Sequence, residues 1–154
     1  MRLLRLLTAS ALLVSPALLV AQRPDRESDA EWLEKCRDRN LSSDDRGRAC
    51  EVRSVPVRLS GRSIAIDGQQ NGGVRVFGWD RDGVEVTARM QAQARDDAEA
   101  RALLSQVRIV ADGRGVRADG PSNDGDRGWS VSYYANVPRR FDLDLTAHNG
   151  GLIV

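Results

Sequence analysis

The chain has a single histidine, His148, and only two cysteines, Cys36 and Cys50. One histidine and two widely spaced thiols cannot supply a CxxC redox pair or a zinc site, whose ligands come in close pairs. A Ser-His-Asp triad would have to be built on His148 alone, and no serine stands in a nucleophile-elbow motif. His148 therefore reads as an exposed residue of a tight turn. Lysine is almost missing too: Lys35 is the only one among 23 basic residues, so nearly all positive charge is arginine. That bias reads as base composition of the gene. The arginines are interspersed with 22 acidic residues and form no cluster, which excludes a nucleic-acid footprint.

Long apolar runs are missing from the body of the chain; the one present stands at the start. Arg2 and Arg5 precede a nearly unbroken apolar stretch, Leu6 to Val20, closed by Ala21 and the polar run Gln22-Arg23-Pro24-Asp25-Arg26. This is the layout of a secretory signal peptide cleaved after Ala21, although Leu19 is larger than usual for that position. The run is short for a membrane span, which needs about 20 residues, and no cysteine follows it to carry a lipid. Losing Arg2 and Arg5 moves the net charge from +1 to about −1. The expected organisation is a signal peptide over 1–21, a leader with a short helix and loop over 22–49, and a β-rich domain over 50–154. In an exported chain, Cys36 and Cys50 read as one disulfide. Its loop is short and would contribute about 3 kcal/mol in the loop-entropy picture.

What is abundant is turn chemistry. Asn71-Gly72-Gly73-Val74-Arg75-Val76 is a tight polar turn opening into a strand, and Asn149-Gly150-Gly151-Leu152-Ile153-Val154 repeats it. Alternating stretches precede both copies, Ile64-Ala65-Ile66 and Phe141 to Leu145. The two read as corners of one repeating β architecture, with glycine used because the chain turns sharply. No helix follows either copy, so neither is an anion-binding glycine loop.

Read in order, Ser28-Asp29-Ala30-Glu31 is a capping box that starts a helix running to about Arg39, with Trp32, Leu33 and Cys36 on one side. Val52 to Leu59 reads as a strand placed at an edge, or ended, by Pro56. Short strands follow at Ser63–Asp67 and Val74–Trp79, and Asp82-Gly83 centres a hairpin into the next strand. That strand, Val84 to Ala94, alternates without a break; its apolar residues shrink to alanine toward the end, so something must approach closely there. Asp96 caps a helix whose Ala100, Leu103, Leu104 and Val107 form one stripe. Arg108–Ala111 and Gly115–Ala118 flank an Asp112-Gly113 turn. Gly128–Val137 and Phe141–Ala147 are two further strands, separated by Pro138.

These residues together resemble the bacterial putative-adhesin family. The resemblance rests on Trp32 and Cys36 before Cys50-Glu51-Val52-Arg53, the run from Asn71 to Asp80, the alternating strand with its alanine-rich helix, and Val137-Pro138-Arg139-Arg140-Phe141 leading to the second Asn-Gly-Gly. It covers roughly Cys50 to Val154. It implies a β-solenoid-like stack of short strands and carries no catalytic residues. A sandwich-like pair of layers with one packed helix and a disulfide-clipped N-terminal helix would show similar alternation. The second corner comes just before Val154, so the expectation is a fragment, or an open end covered by a partner.

The implied function is a non-enzymatic, exported domain of the cell envelope or surface, with an envelope partner or further coils as its neighbours. The alternatives are a β-helical enzyme acting on polysaccharide, for which Asp142 and Asp144 offer the only paired carboxylates, and a small periplasmic module binding carbohydrate or protein. For the last, Phe77, Trp79 and Tyr134 are the candidate ligand-binding residues. Phe77 and Trp79 lie opposite Val74 and Val76 on their strand and are expected to be covered by the Asp96–Val107 helix. Tyr134 is expected to be exposed. Asp80 to Gly83 and Asn123 to Asp126 read as turns more than as calcium loops. No cofactor and no metal are expected.

Overall fold

The structure, a computed structural model, describes residues 27–38 and 45–154. The expected signal peptide and its cleavage site lie outside the described residues. The described chain runs α1 (Asp29–Arg37), β1 (Gly47–Val55), β2 (Ser63–Asp67), β3 (Val74–Trp79), β4 (Glu85–Ala94), α2 (Asp97–Ser105), β5 (Arg108–Ala111), β6 (Gly115–Asp119), β7 (Gly128–Pro138), β8 (Asp142–Thr146) and β9 (Leu152–Ile153).

The strands form two mixed sheets. One has the order β1-β4-β7-β3-β9, the other β5-β6-β2-β8, and neither closes into a barrel. Strands β1, β4 and β7 pair antiparallel, as do β5 and β6. The remaining pairs are parallel: β3 with β7 and β9, and β2 with β6 and β8. Three segments thus pass from the smaller sheet to the larger one, β6 to β7, β2 to β3, and β8 to β9, and they lie side by side in that order.

The core sits between the sheets and under α2. Ile64, Ile66, Val116 and Ala118 face Val74, Val76, Val86, Val131, Tyr133 and Ala135, all buried. At the far end of β4 the alanines do what their size suggests. Ala49, Ala92 and Ala94 leave room for α2, whose Ala100, Leu103 and Leu104 are buried against β1 and β4. Asp96 caps α2 by accepting the Glu99 N–H at 2.8 Å. Strand β1 ends at Val55, before Pro56, and is an edge strand; it starts at Gly47, earlier than its alternation suggests.

Two expectations are corrected here. Strands β3 and β4 are not a hairpin, because β7 lies between them. The Asp82-Gly83 segment instead carries the chain past the end of β7, where Arg139 binds Asp80 at 2.6 Å. The second concerns α2, which packs on β1 and β4, two strands away from β3. It packs there because only the alanine end of β4 admits a helix. Phe77 and Trp79 therefore stay half-buried on the outer face of the larger sheet.

The N-terminal helix covers that same outer face elsewhere. Ser28 and Glu31 form the reciprocal capping box, with bonds of 3.1 and 2.8 Å. Cys36 and Cys50 are bonded, Cα to Cα 6.3 Å. The polar face of β4 is consequently not fully wet. Arg89 is 2% exposed beneath α1, where it binds Asp29 and Glu27 at 2.9 Å each and the Glu27 carbonyl at 2.7 Å. No described helix is long and apolar enough to cross a membrane.

Candidate functional site: the stacked corners and their groove

The corner between β2 and β3 lies directly on the corner between β8 and β9. Residues 63–67 pair in register with 142–146, and Val74–Arg75 with Leu152–Ile153. Between those ladders the backbone stays bonded layer to layer. Gly68 N–H donates to the Thr146 carbonyl at 2.8 Å, His148 N–H to Gln69 at 3.0 Å, Asn149 N–H to Gln70 at 2.9 Å, and Val74 N–H to Gly151 at 3.0 Å. The side chains continue the pattern: the Asn149 amide donates to Asn71 Oδ1 at 3.2 Å. One asparagine of each corner thus bonds the other.

One glycine in each corner, Gly72 and Gly150, serves close approach, and no described glycine has a positive φ. A Cβ on Gly72 would sit 1.8 Å from the Val131 oxygen, and one on Gly150 would sit 2.1 Å from the Gly72 oxygen. Each corner needs glycine because the neighbouring layer's backbone occupies the space of a side chain. The sharp conformation falls on Gln69, at φ 53°, which costs on the order of 1 kcal/mol for a non-glycine residue. Gln69 is held there by its N–H on Asp67 Oδ1 at 2.8 Å and by its side-chain amide on the Ala118 carbonyl.

Beside the first corner lies a groove of about 500 Å³, bounded by residues 67–71, residues 120–123, Trp129, Ser130 and His148. It opens where the two sheets part, at the start of β7. Trp129 continues the inward-facing row of Val131 and Tyr133 and forms its wall. The indole N–H donates to the Pro121 carbonyl at 2.7 Å, and Asn123 grips the Trp129 backbone from both sides, at 2.8 and 3.0 Å.

The sequence candidates fall elsewhere. Trp79 lies under Arg81, 4.9 Å from the guanidinium carbon to the ring centroid, and donates to the Gly83 carbonyl at 2.9 Å. Tyr134 is half-covered rather than exposed, because Arg89, drawn in by α1, lies over its ring. None of Phe77, Trp79 and Tyr134 lines the groove. Asp142 and Asp144 are both exposed on β8. Asp124 and Arg127 close the tip of the loop before β7 on one another, at 3.1 Å. His148 does lie at a turn, exposed, and lines the groove together with Asp67. Sequence reasoning missed Trp129, Gln69 and Gln70. Trp129 reads from the alternation as one more core position; that it stands where the sheets separate is visible only in three dimensions.

Compared with known proteins, the chain matches no family model, no curated protein and no solved structure.

Proposed function

We propose that this protein is an exported, non-enzymatic, adhesin-like structural module of the cell envelope, whose chain winds as a short β-solenoid. The observation that carries the reading is the in-register stacking of the two Asn-Gly-Gly corners, with Asn149 bonded to Asn71. Three segments laid side by side, each passing from one sheet to the other, are the beginning of such a stack. The resemblance of the Asn71–Asp80 and Val137–Leu145 stretches to adhesin-like domains supports the same reading. Export is supported by the Arg2–Ala21 pattern and by the Cys36–Cys50 bond, since disulfides persist in oxidising compartments.

The stack also offers a place for a neighbour. Strands β8 and β9 are the outer strands of their sheets, and Leu152 and Ile153 are each 47% exposed. Edges of this kind accept an added strand. The neighbour is an envelope partner or a further coil that lays a strand along β9. The test is co-sedimentation of the full chain with isolated bacterial envelopes, compared with an Ile153→Lys variant that places a charge on the edge. Binding that falls severalfold in the variant supports the reading. Absence of binding, or turnover of envelope polysaccharide by the purified protein, overturns it.

A further inference from the structure

The groove beside the first corner has the composition of a site, and its far wall, residues 120–123 with Trp129 and Ser130, lies outside the stacked corners. We infer that it binds a segment of neutral glycan, with Trp129 as the wall against which a sugar ring lies. Its volume of about 500 Å³ falls within the roughly 300–1,000 Å³ of small-ligand pockets. Its lining is one carboxylate, several amides and hydroxyls, an imidazole and an indole. A sugar needs that mixture, because its hydroxyls both donate and accept while its C–H face lies on an aromatic ring. Among the described residues the lining contains no arginine or lysine. A phosphate, sulfate or uronate would find no cation there, and Asp67 would repel it.

The site is built before any ligand arrives. Trp129 is fixed by Pro121 and Asn123, and the loop fits against the indole only because residue 120 is glycine. A Cβ there would lie 2.8 Å from ring atoms Cε2 and Cζ2. Gln69 is held in its left-handed conformation at the lip by Asp67 and Ala118, and strain of this kind is characteristic of binding sites. Those bonds commit Gln69, Asn123 and one oxygen of Asp67 to the walls, and Asn71 accepts from the Asn149 amide. Gln70, Ser122, Ser130 and His148 carry the remaining polar groups of the lining. The ligand contacts are therefore assigned to these four side chains, the second oxygen of Asp67 and the indole.

The test is an amide chemical-shift titration of the full chain with cellohexaose and maltohexaose, with hexagalacturonate as the anionic comparison. A neutral hexasaccharide should give saturable shifts centred on Gln70, Ser122, Ser130 and His148. His148→Ala and Gln70→Ala remove exposed side chains and spare the fold; each should weaken binding at least threefold. Trp129→Phe should weaken it tenfold or more, its melting curve showing that the domain is intact. The assignment is overturned if neither neutral probe saturates, if hexagalacturonate binds more tightly, or if the shifts centre on Phe77 and Trp79. Failure here leaves the stacking of the corners untouched, and failure of envelope co-sedimentation leaves this groove untouched, so the two readings fall separately.

Discussion

The guanidinium of Arg89 lies 4.0 Å from the ring centroid of Tyr134 and donates to that tyrosine's hydroxyl at 3.1 Å. The ring of Trp32 in α1 also lies near, 5.6 Å from the guanidinium carbon to its centroid. The helix is thus held to the sheet by one buried cation and two aromatic rings, with Glu27 and Asp29 as the counter-charges. The two partners of this ion cluster are not equal. Arg89 has a side chain 1% exposed, whereas Glu27 and Asp29 are 32% and 43% exposed.

That inequality sets the first prediction. Arg89→Met removes the buried charge and leaves two carboxylates that already reach water, so it should cost about 1–2 kcal/mol, mostly lost bonds to charged groups. The pair Glu27→Gln and Asp29→Asn leaves the cation buried without a counter-charge, which costs about 3–5 kcal/mol where no water can enter. Urea denaturation of both variants should show the double carboxamide to be the less stable. The reverse order would mean that Arg89 reaches solvent in the folded protein.

Reduction of the Cys36–Cys50 bond should act on α1 before it acts on the sheets. The bond closes a separation of 14 residues and should contribute about 3 kcal/mol. The Arg89 cluster remains when it is cut, as do the bonds from Arg37 to the Cys50 carbonyl and from Arg48 to the Cys36 carbonyl, each 3.4 Å. Cys36→Ser with Cys50→Ser should therefore raise amide exchange over residues 29–37 while β4 and β7 keep their protection. Equal loss of protection across β4 would show the helix and the sheet to be one cooperative unit.

Much of this architecture was legible in the sequence, and the failures have a common cause. The capping box, the α2 stripe, the shrinking alanines and the Asp112-Gly113 turn are local signals, and each element formed where its signal lay. The partnership of Cys36 with Cys50 followed from there being only two thiols. What one-dimensional pattern could not supply is which strand lies next to which. Inserting β7 between β3 and β4 turned a hairpin into a crossover and left Phe77 and Trp79 outside the reach of α2. Arg89 looks like any other polar residue of an alternating strand, since nothing nearby announces that a helix sixty residues upstream will cover it. Trp129 was hidden in the same way, as an inward residue whose position at the mouth of the sheets gives it a second surface.

The corner glycines provide a third prediction, in which geometry separates residues of one type. Gly150→Ala puts a Cβ 2.1 Å from the Gly72 oxygen and 2.8 Å from the Gly73 nitrogen, all backbone. The layers must separate, and the cost should be about 1–3 kcal/mol, as for overpacking in a core. Gly83→Ala meets nothing within 4 Å and has no positive φ, so it should be neutral or stabilising by about 0.4–1 kcal/mol through the unfolded chain. Thermal melts of the two variants should move in opposite directions, or the second not at all. A Gly150→Ala protein as stable as the parent would show that the second corner does not rest on the first.

Tyr133 is the place where the core gives up stability. Its ring is fully buried between the sheets, and its hydroxyl has no hydrogen-bond partner among the described residues. Burial pushes the phenol far above its usual value of 10.0, and the carboxylates of Asp67 and Asp119 push in the same direction. Phenylalanine has the same shape without the stranded donor, so Tyr133→Phe should stabilise the domain by about 1 kcal/mol. The sign of the pH effect follows from the same burial. A group whose folded value is raised gives stability that is whole below pH 10 and is lost as pH rises from there toward the folded value, because the unfolded chain ionises first. Melting temperature should therefore decline above pH 10 in the parent, and decline less in Tyr133→Phe. Parallel curves for the two proteins would mean that the Tyr133 hydroxyl is solvated in the folded state, and that the space between the sheets is open to water at that depth.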